Sequence, residues 1–160
     1  METILRILEK NSRLSLEEIA DMANMSIEDA SSKLQALIDN KTICGFNTLI
    51  NWEKTEREFI TALIEVCVST QSGKGYDKIA KKIYSFEEVK SVYLMSGVFD
   101  LTVIVEGKSL KDVSFFVSNK LSALDEVTKV STHFVLKKYK DHGKVFADDG
   151  EEDERMIISP

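Results

Sequence analysis

Nothing in this sequence pairs a nucleophile with a base. There is no Gly-rich phosphate loop, no G-x-S-x-G, no H-E-x-x-H and no C-x-x-C. His133 and His142 lack a third ligand at metal spacing, and neither Cys44 nor Cys67 is close to them in sequence. No metal or cofactor is expected. The side chains that remain suit recognition. Ser31, Ser32, Lys33 and Gln35 stand together in one segment. Gln can pair with adenine, Lys with guanine or a phosphate, and Ser with phosphates or base edges. The bland alternative is a solvated helix face. Further on, Ser96-Gly97-Val98-Phe99-Asp100 forms a turn. Its backbone N–H groups could hold a carboxylate and Asp100 an ammonium group. Equally, it reads as a hairpin turn whose glycine supplies a positive φ.

The elements that must position these residues follow from periodicity. Ile4, Leu5 and Leu8 recur at helical spacing. Ser15-Leu16-Glu17-Glu18 is a capping box, and Leu16, Ile19, Ala20 and Ala23 form the stripe of a short second helix. Asn24-Met25 breaks it, and Ser26 caps a third helix with Ile27, Ala30, Leu34, Leu37 and Ile38 as its apolar stripe. Two short capped helices about three residues apart make a helix-turn-helix candidate. Small Ala20 permits close approach, and Asn24 suits a left-handed turn residue. Residues 42–46 and 49–52 read as two short strands around Asn47-Thr48, a wing-like hairpin.

The second half changes period. Residues 59–69, 89–95, 99–105 and 127–137 read as strands. Tyr76, Ile79, Ala80, Ile83 and Tyr84 give one helix stripe; Leu110, Val113, Val117, Leu121 and Leu124 give another. The order β-α-β-β-α-β predicts a ferredoxin-like α+β domain with two helices on one face of four antiparallel strands. Phe59, Leu63 and Cys67 oppose Ile60, Ile64 and Val68, so both sheet faces carry apolar residues. A face with no helix to cover it marks an interface, and a dimer through that bare face is expected.

Composition agrees with a folded chain. The 160 residues are 43% hydrophobic and 30% charged, with one proline and seven glycines, which excludes collagen and wholesale disorder. Apolar runs are strand-sized, and the first residues lack a basic patch followed by a hydrophobic stretch. The cytoplasm, reduced cysteines and no membrane association are therefore expected. Charge is uneven. Residues 1–52 carry five Lys/Arg against eight Asp/Glu, residues 53–147 fifteen against thirteen, and residues 148–160 one against six. The expected layout is a winged helix-turn-helix over 1–52, a linker over 53–58, a dimerisation domain over 59–140 and an acidic tail over 141–160. The tail is expected to compete with DNA for basic residues, which a truncation tests.

Several spots resemble the Lrp/AsnC, or feast/famine, family of transcriptional regulators over roughly residues 1–140. They are Leu16-x-x-Ile19-Ala20 with Met25-Ser26, Leu34-x-x-Leu37 with Ile43-x-Gly45-Phe46, and Ser96-Gly97-Val98-Phe99-Asp100-Leu101. The resemblance implies a cytoplasmic DNA-binding regulator, homodimeric and often associating to tetramers or octamers. It also implies an amino-acid or related effector held between C-terminal domains near Ser96, Gly97, Val98, Phe99 and Asp100. Candidate DNA contacts are Ser26, Ser31, Ser32, Lys33, Gln35 and Lys41. Phosphate contacts must come from Arg6, Lys10, Arg13, Lys33 and Lys41. The sequence departs from the family pattern in Ser32-Lys33 where two basic residues are usual, and in Lys41 where glycine is usual. Two rivals follow: a metabolite-sensing or assembly protein with weak or lost DNA binding, and a small enzyme on a ferredoxin-like core.

Overall fold

The computed structural model describes residues 2–69 and 75–146, and its chain divides into two compact units after Ile50. The first unit holds α1 (Glu2–Lys10), α2 (Leu16–Met22) and α3 (Ile27–Asp39). Both short helices start as their caps dictate. Ser15 Oγ accepts from the Glu18 N–H at 3.2 Å, and the Ser15 N–H donates to Glu18 Oε2 at 2.7 Å. Ser26 Oγ accepts from the Asp29 N–H at 3.1 Å. Between them Asn24 takes φ 50°, and the Met25 N–H reaches back to the Ala20 carbonyl. Ile4, Ile7, Ile19, Ala20, Ala30 and Leu37 form the small core.

Two expectations for this unit need correction. Ile27 and Ile38 are 44% and 37% exposed, so the stripe of α3 is narrower than periodicity implied. Residues 43–51 form no strand, so the wing hairpin is absent. A two-residue loop wants positive φ at both central positions, and β-branched Thr48 resists that. A lone two-stranded hairpin is also marginal in water.

The second unit opens with a 3₁₀ turn at Trp52–Lys54, where Arg57 lies over the Trp52 ring at 4.4 Å. It continues with β1 (Ile60–Val68), α4 (Tyr76–Tyr84), β2 (Val89–Leu94), β3 (Leu101–Gly107), α5 (Leu110–Phe116) and β4 (Val127–Phe134). The antiparallel sheet has the order β2-β3-β1-β4, which is the ferredoxin-like arrangement. Ala62, Ile64 and Val66 of β1 and Leu101, Val103 and Val105 of β3 pack with Ile79, Ile83, Val113, Phe116 and Leu121. Strand alternation produces this face, and helix periodicity supplies its cover.

The second helix stripe also shifts. Leu110 is 54% exposed, whereas Phe116 is buried. The helix passes into a π turn over Val117–Leu121, closed by Ser122 N–H to the Val117 carbonyl. Its extra residue per turn resets the phase that a uniform 3.6 repeat assumes. Phe99, expected at the start of a strand, instead lies in the loop before β3. Past β4, the expected end of the domain at Lys140 and the first residues of the expected tail form a small hairpin, β5 (Lys140–Asp141) with β6 (Lys144–Val145). His142 at φ 44° and Gly143 at φ 77° make its turn. The rest of the acidic tail, 147–160, lies outside the described residues.

Candidate nucleic-acid interface and effector loop

The turn between α2 and α3 presents the outer face of α3. Ser31, Ser32 and Gln35 are exposed there, three and four residues apart, and so share one side of the helix. Glu28 and Asp39 fall on the same side, and Gln35 Nε2 donates to Asp39 Oδ1 at 2.8 Å. Lys33 does not join them. It sits about 160° around the helix from Ser31 and Gln35, half-buried, with Nζ 4.0 Å from Met25 Sδ. Ser26 serves as the cap and retains its hydroxyl proton as a donor. Lys41 follows α3 at φ 60°, a conformation in which a glycine is at ease and a lysine is strained. The structure thus groups Ser31, Ser32 and Gln35 and separates Lys33 and Lys41 from them. Arg6 pairs with Glu2 at 2.7 Å on the solvent side of α1.

The loop at Ser96–Asp100 is more highly organised than its sequence suggests. The Met95 N–H donates to the Asp100 carbonyl at 2.8 Å, and the Asp100 N–H donates to the Val66 carbonyl at 3.0 Å. The Asp100 carboxylate accepts from the Val68 N–H at 2.8 Å and from the Tyr76 hydroxyl at 3.1 Å. One carboxylate therefore joins the end of β1, the start of α4 and the loop. Gly97 is not at positive φ, which corrects the hairpin-turn reading, and a Cβ there would meet nothing within 4 Å. Val98 is 91% exposed and Phe99 half-buried. Tyr76 was legible only as part of an apolar stripe. Its place at the head of α4 was the available sign of a polar role.

On the sheet face opposite the helices, register places Leu63 beside Ile104 and His133, and Glu65 beside Thr102 and Ser131. Glu65 lies 3.5 Å from His133 Nε2. Tyr93 and Leu63 are 52% and 36% exposed. The face is thus mixed, with the expected apolar residues forming a strip among polar neighbours. Among the described residues no group of three or more His, Cys, Asp or Glu is placed to hold a metal, and no helix is long and apolar enough to cross a membrane.

The family model for the Lrp/AsnC ligand-binding domain matches residues 61–145. The uncharacterized HTH-type transcriptional regulator YugG of Bacillus subtilis is 48% identical over 98% of this chain and 95% of its own. The chain belongs to the Lrp/AsnC family. Another member, the HTH-type transcriptional regulator LrpA of Pyrococcus horikoshii, is 31% identical over 86% of this chain and 94% of its own. A feast or famine regulatory protein from M. tuberculosis, solved with L-methionine, shares the fold. Its TM-score is 0.71 at 18% identity, covering 91% of this chain and 96% of that one. The Lrp/AsnC proteins matched here are transcriptional regulators, so membership sets the enzyme reading aside.

Proposed function

We propose that this Lrp/AsnC protein binds specific double-stranded DNA sites as a homo-oligomer and responds to an amino acid or related metabolite. The observation that carries the reading is the pair of capped helices around left-handed Asn24, with Ser31, Ser32 and Gln35 aligned on the open side of α3. Such a helix enters the major groove with its outward side chains at base edges. Ser26 and Lys41 flank it as phosphate contacts. Acting at DNA places the protein inside the cell.

The effector part rests on the loop. The N–H groups of residues 96–99 have no acceptor among the described residues, so they are open to a carboxylate. Asp100 has both oxygens engaged, so its role is to hold the loop. The bound L-methionine of the M. tuberculosis relative makes an amino acid the first ligand to try. A second copy is proposed to cover the strip of Leu63, Ile104 and Tyr93, giving a dimer from which tetramers or octamers can build. An effector shifts such assemblies only by binding one more tightly than another.

The test is a retardation assay on the gene's own promoter region at several salt concentrations. With about four phosphates neutralised per subunit, log K should fall against log salt with a slope of about −3.6 per subunit. Absent or salt-insensitive binding would favour the second reading, a metabolite-sensing or assembly protein with weak or lost DNA binding. Glu28 and Asp39, on the same side of α3 as Ser31 and Gln35, favour that alternative because they repel phosphate. Light scattering with an amino-acid panel tests the effector and the assembly together.

A further inference from the structure

The described residues hold one dense and largely unpaired set of cations, and it is not on the helix-turn-helix. Residues 135–146 carry Lys137, Lys138, Lys140 and Lys144 against a single acid, Asp141. Lys138 is occupied. Its Nζ lies 3.0 Å from Asp141 Oδ2 and 5.6 Å from the centre of the Phe146 ring. Hydrogen bonding to Lys138 also holds the Asp141 carboxyl below its ordinary range, so that acid is engaged as well. Lys137 rests over the Tyr139 ring at 5.3 Å, a contact that leaves its charge exposed. Lys140 and Lys144 are exposed and make no ion pair among the described residues.

The scaffold beneath these lysines is built. The His142-Gly143 turn fixes the strand pair, and the Phe146 N–H donates to the Tyr139 carbonyl at 2.9 Å. The Asn51 side chain donates to the Phe146 carbonyl at 3.3 Å. Asn51 directly follows Ile50, the last residue of the first unit. Asn51 opens the second unit, so the hairpin is anchored within that unit. The other dense basic set, Lys78, Lys81 and Lys82 of α4, differs: Asp77 stands beside it and Lys82 is paired with Glu126 at 2.7 Å.

We propose that Lys137, Lys140 and Lys144 of this hairpin are a second contact for the phosphate backbone of double-stranded DNA. The inference rests on the DNA-binding reading above and supplies what that reading lacks. The helical unit has more acids than cations, and its recognition face carries Glu28 and Asp39. Cations on an anchored hairpin offset that repulsion without reading sequence, since phosphate contacts position a protein and base contacts specify.

The test uses the full-length protein and the triple variant Lys137→Gln/Lys140→Gln/Lys144→Gln. Binding is followed by fluorescence anisotropy on the promoter duplex and on a scrambled duplex, across a salt series. The variant should bind both duplexes about tenfold or more weaker at low salt, with the slope of log K against log salt reduced by about 2.7 per subunit, from about −6.3 with the hairpin contacts to about −3.6 without them. The Lys→Arg triple variant should restore both. Circular dichroism melting of each variant separates lost contacts from lost fold. An unchanged slope in a folded Gln variant overturns the hairpin contact while leaving the DNA-binding reading intact. Absence of salt-dependent binding by the wild type overturns both. Carbodiimide coupling of these lysines to the chain's own residues 148–154, with DNA affinity unchanged in the Gln variant, would make the acidic tail the occupant and likewise overturn the proposal.

Discussion

At the scale of single residues, two positions carry opposite strains. Lys41 holds φ 60° directly after α3. Replacing it with glycine removes the left-handed cost and loosens the unfolded chain. The net expectation is a gain of about 0.5–1 kcal/mol in urea unfolding. The same variant should bind DNA more weakly if Lys41 contacts phosphate, so stability and affinity would move apart. Asp100 is the reverse case, a side chain with every bond made. Asp100→Ala leaves the Val68 N–H and the Tyr76 hydroxyl without their acceptor, at a cost of about 1–3 kcal/mol in denaturant unfolding. Effector affinity should fall with it, because the loop loses its hold on β1 and α4. An Asp100→Ala protein of unchanged stability would show that those two bonds are not structural.

At the scale of elements, ion pairs fasten the helix ends to the sheet connections. Lys120 on the π turn meets Glu88 ahead of β2 at 2.5 Å, and Lys82 on α4 meets Glu126 ahead of β4 at 2.7 Å. Hydrogen bonding to these lysines lowers the pKa of both carboxyls below the ordinary 4.5. A carboxyl whose pKa drops on folding stabilises the fold above its unfolded value and ceases to do so as pH falls through its folded value. Thermal stability of the second unit should therefore decline below about pH 4.5, modestly, because the pairs are partly exposed. Lys120→Met should flatten the decline, which a melting series at pH 3 to 6 would record. Element order and strand faces were legible because alternation and helical spacing are direct consequences of which side meets the core. The capping box of α2 and the cap of α3 were legible because Ser15, Glu18 and Ser26 act on their own neighbours. The phase shift at Val117–Leu121, the role of Tyr76 and the displacement of Lys33 were not. Tyr76 depends on a partner 24 residues away, the π turn on a local departure from the 3.6 repeat, and Lys33 on its turn around α3 toward Met25, none of which apolar spacing encodes.

At the scale of the whole molecule, the mixed strip on the open sheet face is proposed to bring two copies together. Leu63→Lys would put a charge in the middle of that strip, beside Ile104 and His133. Sedimentation should then show a monomer where the wild type shows a dimer or larger, with the melting temperature of the monomeric fold little changed since Leu63 is outside the helix-covered core. A wild type that sediments as a monomer at micromolar concentration would remove the proposed effector switch. The two units keep separate hydrophobic cores, one around Ile4 and Leu37 and one around Ile64 and Phe116. Each hydrophobic nucleus closes on residues from its own side of the Ile50–Asn51 peptide. That makes the peptide a natural grafting point: a foreign head spliced ahead of Asn51 would inherit the second unit intact, and its Asn51-to-Phe146 clasp would travel with it.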